Sequence, residues 1–485
     1  MTQSRRKFLR NSACGLSAAA LLSSLDQLNL VNAMVQQQAD DAVAADYRAL
    51  VCIFLSGGND CNNTIIPLDS EYNSYSSVRN ASGLAIPQAS LLPLTGSSGG
   101  SGRPFGMHPN LSPEVANPTL AKGLLDVWTA GRLAVLFNTG NLVQPLTRAQ
   151  YLAGSPKPYQ LFSHSDQVTQ QQTVSSKSVG QTGWGGRVAD MTGTLNGSVA
   201  LPMNVSVAGT NLFQTGITSR QLAIASTGSL SSVLNLNWTN GVASANPFNA
   251  GSSYRTLLGM DSDSFLIKAA SDTTNGALTA DAALNTAGDP ALTAVFPVTS
   301  LGNQLKQIAK LIKVRDLAGI TMKRQIFFCT LGNFDTHTNQ TSSTLTGSQG
   351  NNFTQLSQAM KAFYDEMVAQ GISDKVTTFT QSDFGRTLQP SGSGAGSVGS
   401  DHAWGNHAFI MGGSVLGRAF YGTFPTLALG GPDDTDNRGR WIPTTSVDQY
   451  AATLASWYGL APADVSTVFP NLYKFSSQNL GFLLP

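Results

Sequence analysis

The side chains able to do chemistry in this 485-residue chain gather in a few short stretches. Of only five histidines, two fall in the run from Ser382 to Gly413, SDFGRTLQPSGSGAGSVGSDHAWGNHAFIMGG. There His402 and His407 stand with Asp383 and Asp401 around a Gly/Ser-rich loop. Two other stretches carry the same residue types: Asp60 in SGGNDCNN, and Asp335 with His337 in FDTH. Carboxylates mixed with imidazoles suit Zn²⁺ or Mn²⁺ better than Ca²⁺, which prefers all-oxygen sites. The expectation is a centre for one or two divalent ions, built from Asp60, Asp335, His337, Asp383, Asp401, His402 and His407. Each residue also has a plain structural reading. Asp60 can hold the Gly-Gly-Asn turn, Asp335 and His337 can be a hydrogen-bonded pair, and His402 can be a satisfied loop histidine. Their clustering favours a site.

Such residues need elements to bring them together. ALVCIFLSGG (Ala49–Gly58), GRLAVLFNTG (Gly131–Gly140), RQIFFCTLGNFDTH (Arg324–His337) and KVTTFTQSDFG (Lys375–Gly385) are short apolar runs. Each ends in Gly, Asn or Asp, the pattern of buried parallel strands. Helices precede two of them. LGNQLKQIAKLIKVR sets Leu301, Leu305, Ile308, Leu311 and Ile312 on one face, and FTQLSQAMKAFYDEMVAQG does the same with Phe353, Leu356, Met360, Phe363 and Met367, closed by Gly371. TSVDQYAATLASWYGL reads as an amphipathic helix capped by Thr445 or Ser446. Helix, strand, then polar residues at the strand's carboxyl end is α/β order, and ligand sites in open α/β sheets gather beyond those ends. The expected fold is one α/β domain over residues 34–485 with a large, mostly parallel central sheet flanked by helices. The stretch at about 192–286, rich in Ser, Thr, Asn and Gly, reads as an inserted cap or peripheral region.

FLSGGNDCNNTIIP, FDTHTNQ, SDFGRT, DHAWGNHAFIMGG and the ending VDQYAATLASWYG with VFPNL resemble a widespread group of exported bacterial proteins, domain of unknown function family fifteen-oh-one. That family is in turn similar to the alkaline phosphatase and sulfatase superfamily. The resemblance implies an alkaline phosphatase-like fold with metal-ligand aspartates and histidines at strand ends. Asp60 matches the first metal-binding aspartate, Asp335 and His337 resemble one site's pair, and Asp383 matches the aspartate of a Ser-Asp-His-Gly element. Phe384 stands where that element has its second ligand. Asp401 is the candidate to compensate, with His402 or His407 as the late histidine, and one metal site is more secure than two.

Phosphatases and sulfatases of this superfamily attack with a Ser, Thr or modified Cys at a helix N-terminus. QLFSHSDQVTQQQT offers Ser163, beside His164, Ser165 and Asp166. Ser163 and Asp166 equally fit a capping box. Thr147 and Thr64 are lesser candidates, and Cys61 lacks the Cys-x-Pro-x-Arg setting of a formylglycine. Arg386 and Arg148 are candidates to grip a substrate anion, or surface or structural arginines.

The N-terminal SRRKFLRNSACGLSAAALLSSL pairs Arg5 and Arg6 ahead of a short apolar run, as in a twin-arginine export signal, with a cleavage site after Ala33. The run is too short to span a bilayer. The expected partner is the twin-arginine translocase, and the expected destination is the periplasm or the medium. Net charge is +1; residues 1–33 carry about +3 of it, leaving about −2 on the rest. No basic stripe points to nucleic acid. Charged residues make up 12%, about half the usual share, which suits an exported protein. Cys52 and Cys329 lie inside apolar runs and read as buried thiols. Together these features lead to an exported metal-dependent hydrolase of small phosphate or sulfate esters. The alternatives are a catalytically silent, metal-stabilised binding protein and an envelope scaffold that uses the Ser/Thr/Asn-rich stretch as its contact surface.

Overall fold

A computed structural model describes residues 47–113, 122–176, 180–232, 256–260, 264–317, 319–340, 347–392 and 396–484. The paired arginines and the proposed cleavage site lie outside them. The unit Tyr47–Pro485 is mixed α/β, built on a large central sheet with helices on both faces.

In spatial order the sheet runs Ser98–Gly99, Ala419–Tyr421, Leu133–Gly140, Asn406–Met411, Val376–Ser382, Arg48–Leu55, Arg324–Leu331, Asn204–Ser206 and Gln221–Ala223, with Thr445–Ser446 pairing the end of Leu133–Gly140. All pairings are parallel except the two made by Asn406–Met411. The central strand Arg48–Leu55 is flanked in parallel register by Val376–Ser382 and Arg324–Leu331, so Leu55 lies level with Ser382 and Leu331. The polar residues that follow these three strands therefore emerge side by side.

Both sheet faces are buried, which is why the strands read as continuous apolar runs. Val51 and Ile53 join one core layer with Leu305, Ile308, Phe353 and Phe363, from the helices Ser300–Lys313 and Ser348–Ala369. Leu50, Cys52 and Phe54 face the other way, toward Trp184, Tyr450 and Leu454. The helix Val447–Tyr458 starts at a capping box between Ser446 and Gln449, which satisfies two otherwise orphaned backbone donors. The three described cysteines are buried free thiols.

Within the stretch at 192–286 the described residues include two short strands at the edge of the sheet and a long helix. Asn204–Ser206 and Gln221–Ala223 extend the central sheet in parallel beyond Arg324–Leu331. Phe265–Ala287 is a 23-residue helix where few strong helices were expected. No helix among the described residues is long and apolar enough to cross a membrane.

Candidate metal centre

Three loops meet at the carboxyl edge of the sheet. Gly57 and Gly58 follow the central strand with φ of +113° and +85°, a region open to glycine at little cost. A Cβ on Gly57 would lie 2.3 Å from the backbone nitrogen of Asp335, so the two loops touch backbone to backbone. The Gly/Ser-rich segment belongs to an antiparallel hairpin, Arg386–Ser391 with Gly399–His402, that sets Arg386 opposite His402. Ser400 N–H donates to the Thr336 carbonyl at 3.0 Å, tying the hairpin to the Asp335–His337 loop. A fourth piece comes from the start of the helix His164–Thr173. Just before it, Phe162 sits at φ +74°, strained for an aromatic residue, and turns its carbonyl to His402 Nδ1 at 2.7 Å.

The result is a convergence of Nε2 atoms. His402 Nε2 lies 3.0 Å from His164 Nε2 and 2.9 Å from His337 Nε2. Asp335 Oδ1 is 3.1 Å from His337 Nε2 and 3.5 Å from the Nε2 of both His164 and His402. His164, Asp335 and His402 can thus offer one ligand atom each, all within 4.8 Å of one another, and His337 reaches two of the three. Each imidazole turns its other nitrogen to an acceptor. His164 Nδ1 meets Asp383 Oδ2 at 2.7 Å, His337 Nδ1 meets Asp401 Oδ1 at 3.0 Å, and His402 Nδ1 meets the Phe162 carbonyl. A carboxylate or carbonyl oxygen only accepts, so each Nδ1 carries the proton. In the neutral rings every Nε2 then presents a lone pair to the others and to a carboxylate oxygen. Such lone pairs repel unless a cation sits among them.

A transition metal fits this donor set. Bonds of about 2.05 Å in a tetrahedron place ligand atoms about 3.3 Å apart, within the separations found. Imidazoles held through Nδ1 by carboxylate or carbonyl are the usual support of such ligands. The hydrogen bond from His164 to Asp383 raises the His164 pKa, whereas burial lowers that of His402. Burial would raise the Asp335 pKa, but the hydrogen bond and charge of Arg386 outweigh it and hold the carboxyl low.

The expected ligands divide into three groups. Asp335, His337 and His402 come together as expected. Asp383 and Asp401 stand behind the histidines: Asp383 Oδ1 accepts from Gly57 N–H at 3.1 Å, and Arg438 binds Asp401 Oδ2. Both oxygens of each carboxylate are engaged, and they face the far nitrogens of the imidazoles and not the centre of the cluster. Asp60 and His407 are elsewhere. The Asp60 carboxylate is fully buried against Arg79, with Nη1 at 2.6 Å, and also accepts from Asn62 and Gln340. His407 is buried between Phe137 and Phe424, and its Nδ1 accepts from Asn138 N–H. Burial drops its pKa to about 3. Neither joins the cluster as the sequence led one to expect: Asp60 is held in an ion pair and His407 in the core.

Arg386 is likewise not a free anion grip. Buried at 0% exposure, it donates to the carbonyls of Gly57, Gly58 and Ser400 and to Asp335. It fixes the loops and the ligand carboxylate. Ser163 does precede the helix, but its hydroxyl bonds Asp166 Oδ2 at 2.5 Å and makes no backbone cap. The phenyl ring of Phe384 lies 4.7 Å from both the His164 and His402 rings, an apolar floor beneath the cluster.

The candidate ligand that sequence reasoning missed is His164. It drew notice only as a neighbour of Ser163, and its place among just five histidines was the available signal. A cleft of about 950 Å³ opens beside the cluster, reached by His164, Ser165, Asp335 and Asp383.

Residues 47–436 match the family described as "Protein of unknown function (DUF1501)", and the chain belongs to that family. No curated protein matches it. A structure described as Ps i-CgsB in complex with k-i-k-neocarrahexaose aligns at 8% identity over 88% of this chain and 76% of its own, with a TM-score of 0.33. That likeness is too slight to carry an argument.

Proposed function

We propose that this member of the DUF1501 family is an exported hydrolase of phosphate or sulfate esters that works with one divalent ion, Zn²⁺ or Mn²⁺. The observation that carries the reading is the meeting of three Nε2 atoms on Asp335 Oδ1, each ring backed by an acceptor on its far side. Bound there, the ion would supply Lewis-acid polarisation of the ester and offset charge developing on it. His164, His402, Asp335 and His337 would hold it. Asp383 and Asp401 keep the imidazoles in the tautomer that leaves Nε2 free, and Arg386 fixes Asp335. Placement of Asp60, Asp335 and Asp383 after neighbouring parallel strands supports an alkaline phosphatase-like plan.

Ser163 is our candidate nucleophile. Its hydroxyl already donates to Asp166, and it adjoins His164 in sequence. Attack by Oγ on phosphorus or sulfur passes its proton to Asp166 as the ester bond breaks, and that proton then goes to the departing oxygen, which leaves as the alcohol. One water then frees phosphate or sulfate and restores the serine. The test is Ser163→Ala in the full chain loaded with Zn²⁺ or Mn²⁺ and assayed on p-nitrophenyl phosphate and p-nitrophenyl sulfate. A nucleophile predicts a loss of about 10³-fold or more with metal content unchanged. Activity within about twofold of the parent would remove Ser163 from the mechanism.

One observation favours a second reading, a metal-stabilised binding protein without catalysis. The Arg79 pairing of Asp60 leaves one ion where a two-metal hydrolase would have two. Metal content without hydrolysis of either ester would select it.

A further inference from the structure

We propose that the cleft beside the histidine cluster binds a neutral, polyhydroxylated group, a sugar residue or short oligosaccharide that carries the ester. The proposal rests on the reading above, because it treats the His164 and Asp335 edge of the cleft as the reacting end.

The cleft, about 950 Å³, lies within the range of small-molecule sites. Asn333, Thr338, Asn339, Ser348, Asn351 and Gln355 line it. Among the described residues none of these side chains has a protein hydrogen-bond partner. Each amide offers a donor and an acceptor, and each hydroxyl is both, which is also the chemistry of a sugar hydroxyl. Among the described residues no lysine or arginine lines the cleft, while Asp335 and Asp383 do. A polyanionic chain would find repulsion there and no counter-charge. Among the described residues the lining has no Phe, Tyr or Trp: its one ring is the His164 imidazole, held by Asp383 and turned to the cluster, and Val168 is its one large apolar residue. A nucleobase therefore finds no Phe, Tyr or Trp face to stack on, and an apolar peptide side chain has no pocket.

Two of these amides are tied to the metal loop itself. Asn333 and Asn339 bracket Asp335 and His337, and both hold left-handed backbone, at φ +67° and +49°. Asparagine tolerates that conformation better than most residues. One short loop thus presents metal ligands and amides to the same space.

The test is calorimetric titration of the full chain with cellohexaose, laminarihexaose, mannohexaose and chitohexaose, alongside hexaglycine and dextran sulfate. At least one neutral hexasaccharide should bind, and the double variant Asn351→Leu with Gln355→Leu should weaken it by about tenfold or more. Both stand on the helix Ser348–Ala369, Asn351 exposed and Gln355 half-buried, so the core and the Asp335–His337 loop are left alone, and metal content should not change. Stripping the metal with EDTA should leave oligosaccharide binding in place. If the chain holds no metal but binds the sugar, the hydrolytic reading fails and the cleft assignment stands. No hexasaccharide binding at about 10 mM, preference for hexaglycine or dextran sulfate, or unchanged affinity in the double variant would each overturn the assignment.

Discussion

Behind each imidazole of the cluster stands an acceptor, and that is the feature most open to single substitutions. Asp383 binds His164 Nδ1 and also the Gly57 N–H. Asp401 links His337 to Arg438. Replacing either carboxylate by an amide keeps the shape but allows the side chain to donate, so the histidine can flip its tautomer and protonate Nε2. Asp383→Asn and Asp401→Asn should each weaken metal affinity by roughly 10- to 100-fold, read by competition with a chromophoric chelator, while the chain stays folded. Equal affinity in both variants would mean that these carboxylates do not set the ligand geometry.

At the scale of elements, the carboxyl edge is held by an ion pair in place of a second ion. Arg79, at the end of the helix Tyr72–Arg79, binds Asp60 and donates to the carbonyls of Thr387 and Leu388 on the hairpin that carries His402. Breaking a buried pair leaves an uncompensated charge and typically costs about 3–5 kcal/mol. Arg79→Met should therefore lower the unfolding midpoint sharply, whereas the metal content of folded protein stays the same. Loss of an ion on changing Asp60→Asn would return Asp60 to the ligand set. Much of this edge was legible in the sequence. The runs ending at Leu55, Leu331 and Ser382 announced parallel strands, and strand order then sets Asp335 near Asp383. What was not legible is which partner each acid finds. Arg79 lies 19 residues from Asp60 in an unremarkable polar helix, and no local pattern reveals that its guanidinium turns inward. His164 escaped for the same reason, since its role depends on a strained turn at Phe162 that carries no glycine to mark it. The edge strands at Asn204–Ser206 and Gln221–Ala223 are only three residues each, too short to show periodicity.

For the whole molecule, two buried histidines set the acid limit. Burial holds both His108 and His407 to about pKa 3, while an unfolded histidine titrates near 6.5. The unfolded chain therefore binds these protons first as pH falls. The stabilisation is complete above about 6.5 and is lost as pH falls toward 3, by a few kcal/mol for each residue. His407→Asn keeps an acceptor for Asn138 N–H, so it should cost some stability at neutral pH through the cavity yet flatten the slope between pH 6.5 and 3. Midpoints recorded across that window that run parallel to the parent would show that His407 is not buried neutral. The central claim concerns the cluster itself, and elemental analysis of the purified chain after equilibration with Zn²⁺ or Mn²⁺ and desalting tests it most directly. The account predicts about one ion per chain by the ligand count, lost in His164→Ala and in His402→Ala and retained in Asp60→Asn and His407→Asn. A metal-free parent, or full occupancy in both His164→Ala and His402→Ala, would contradict it.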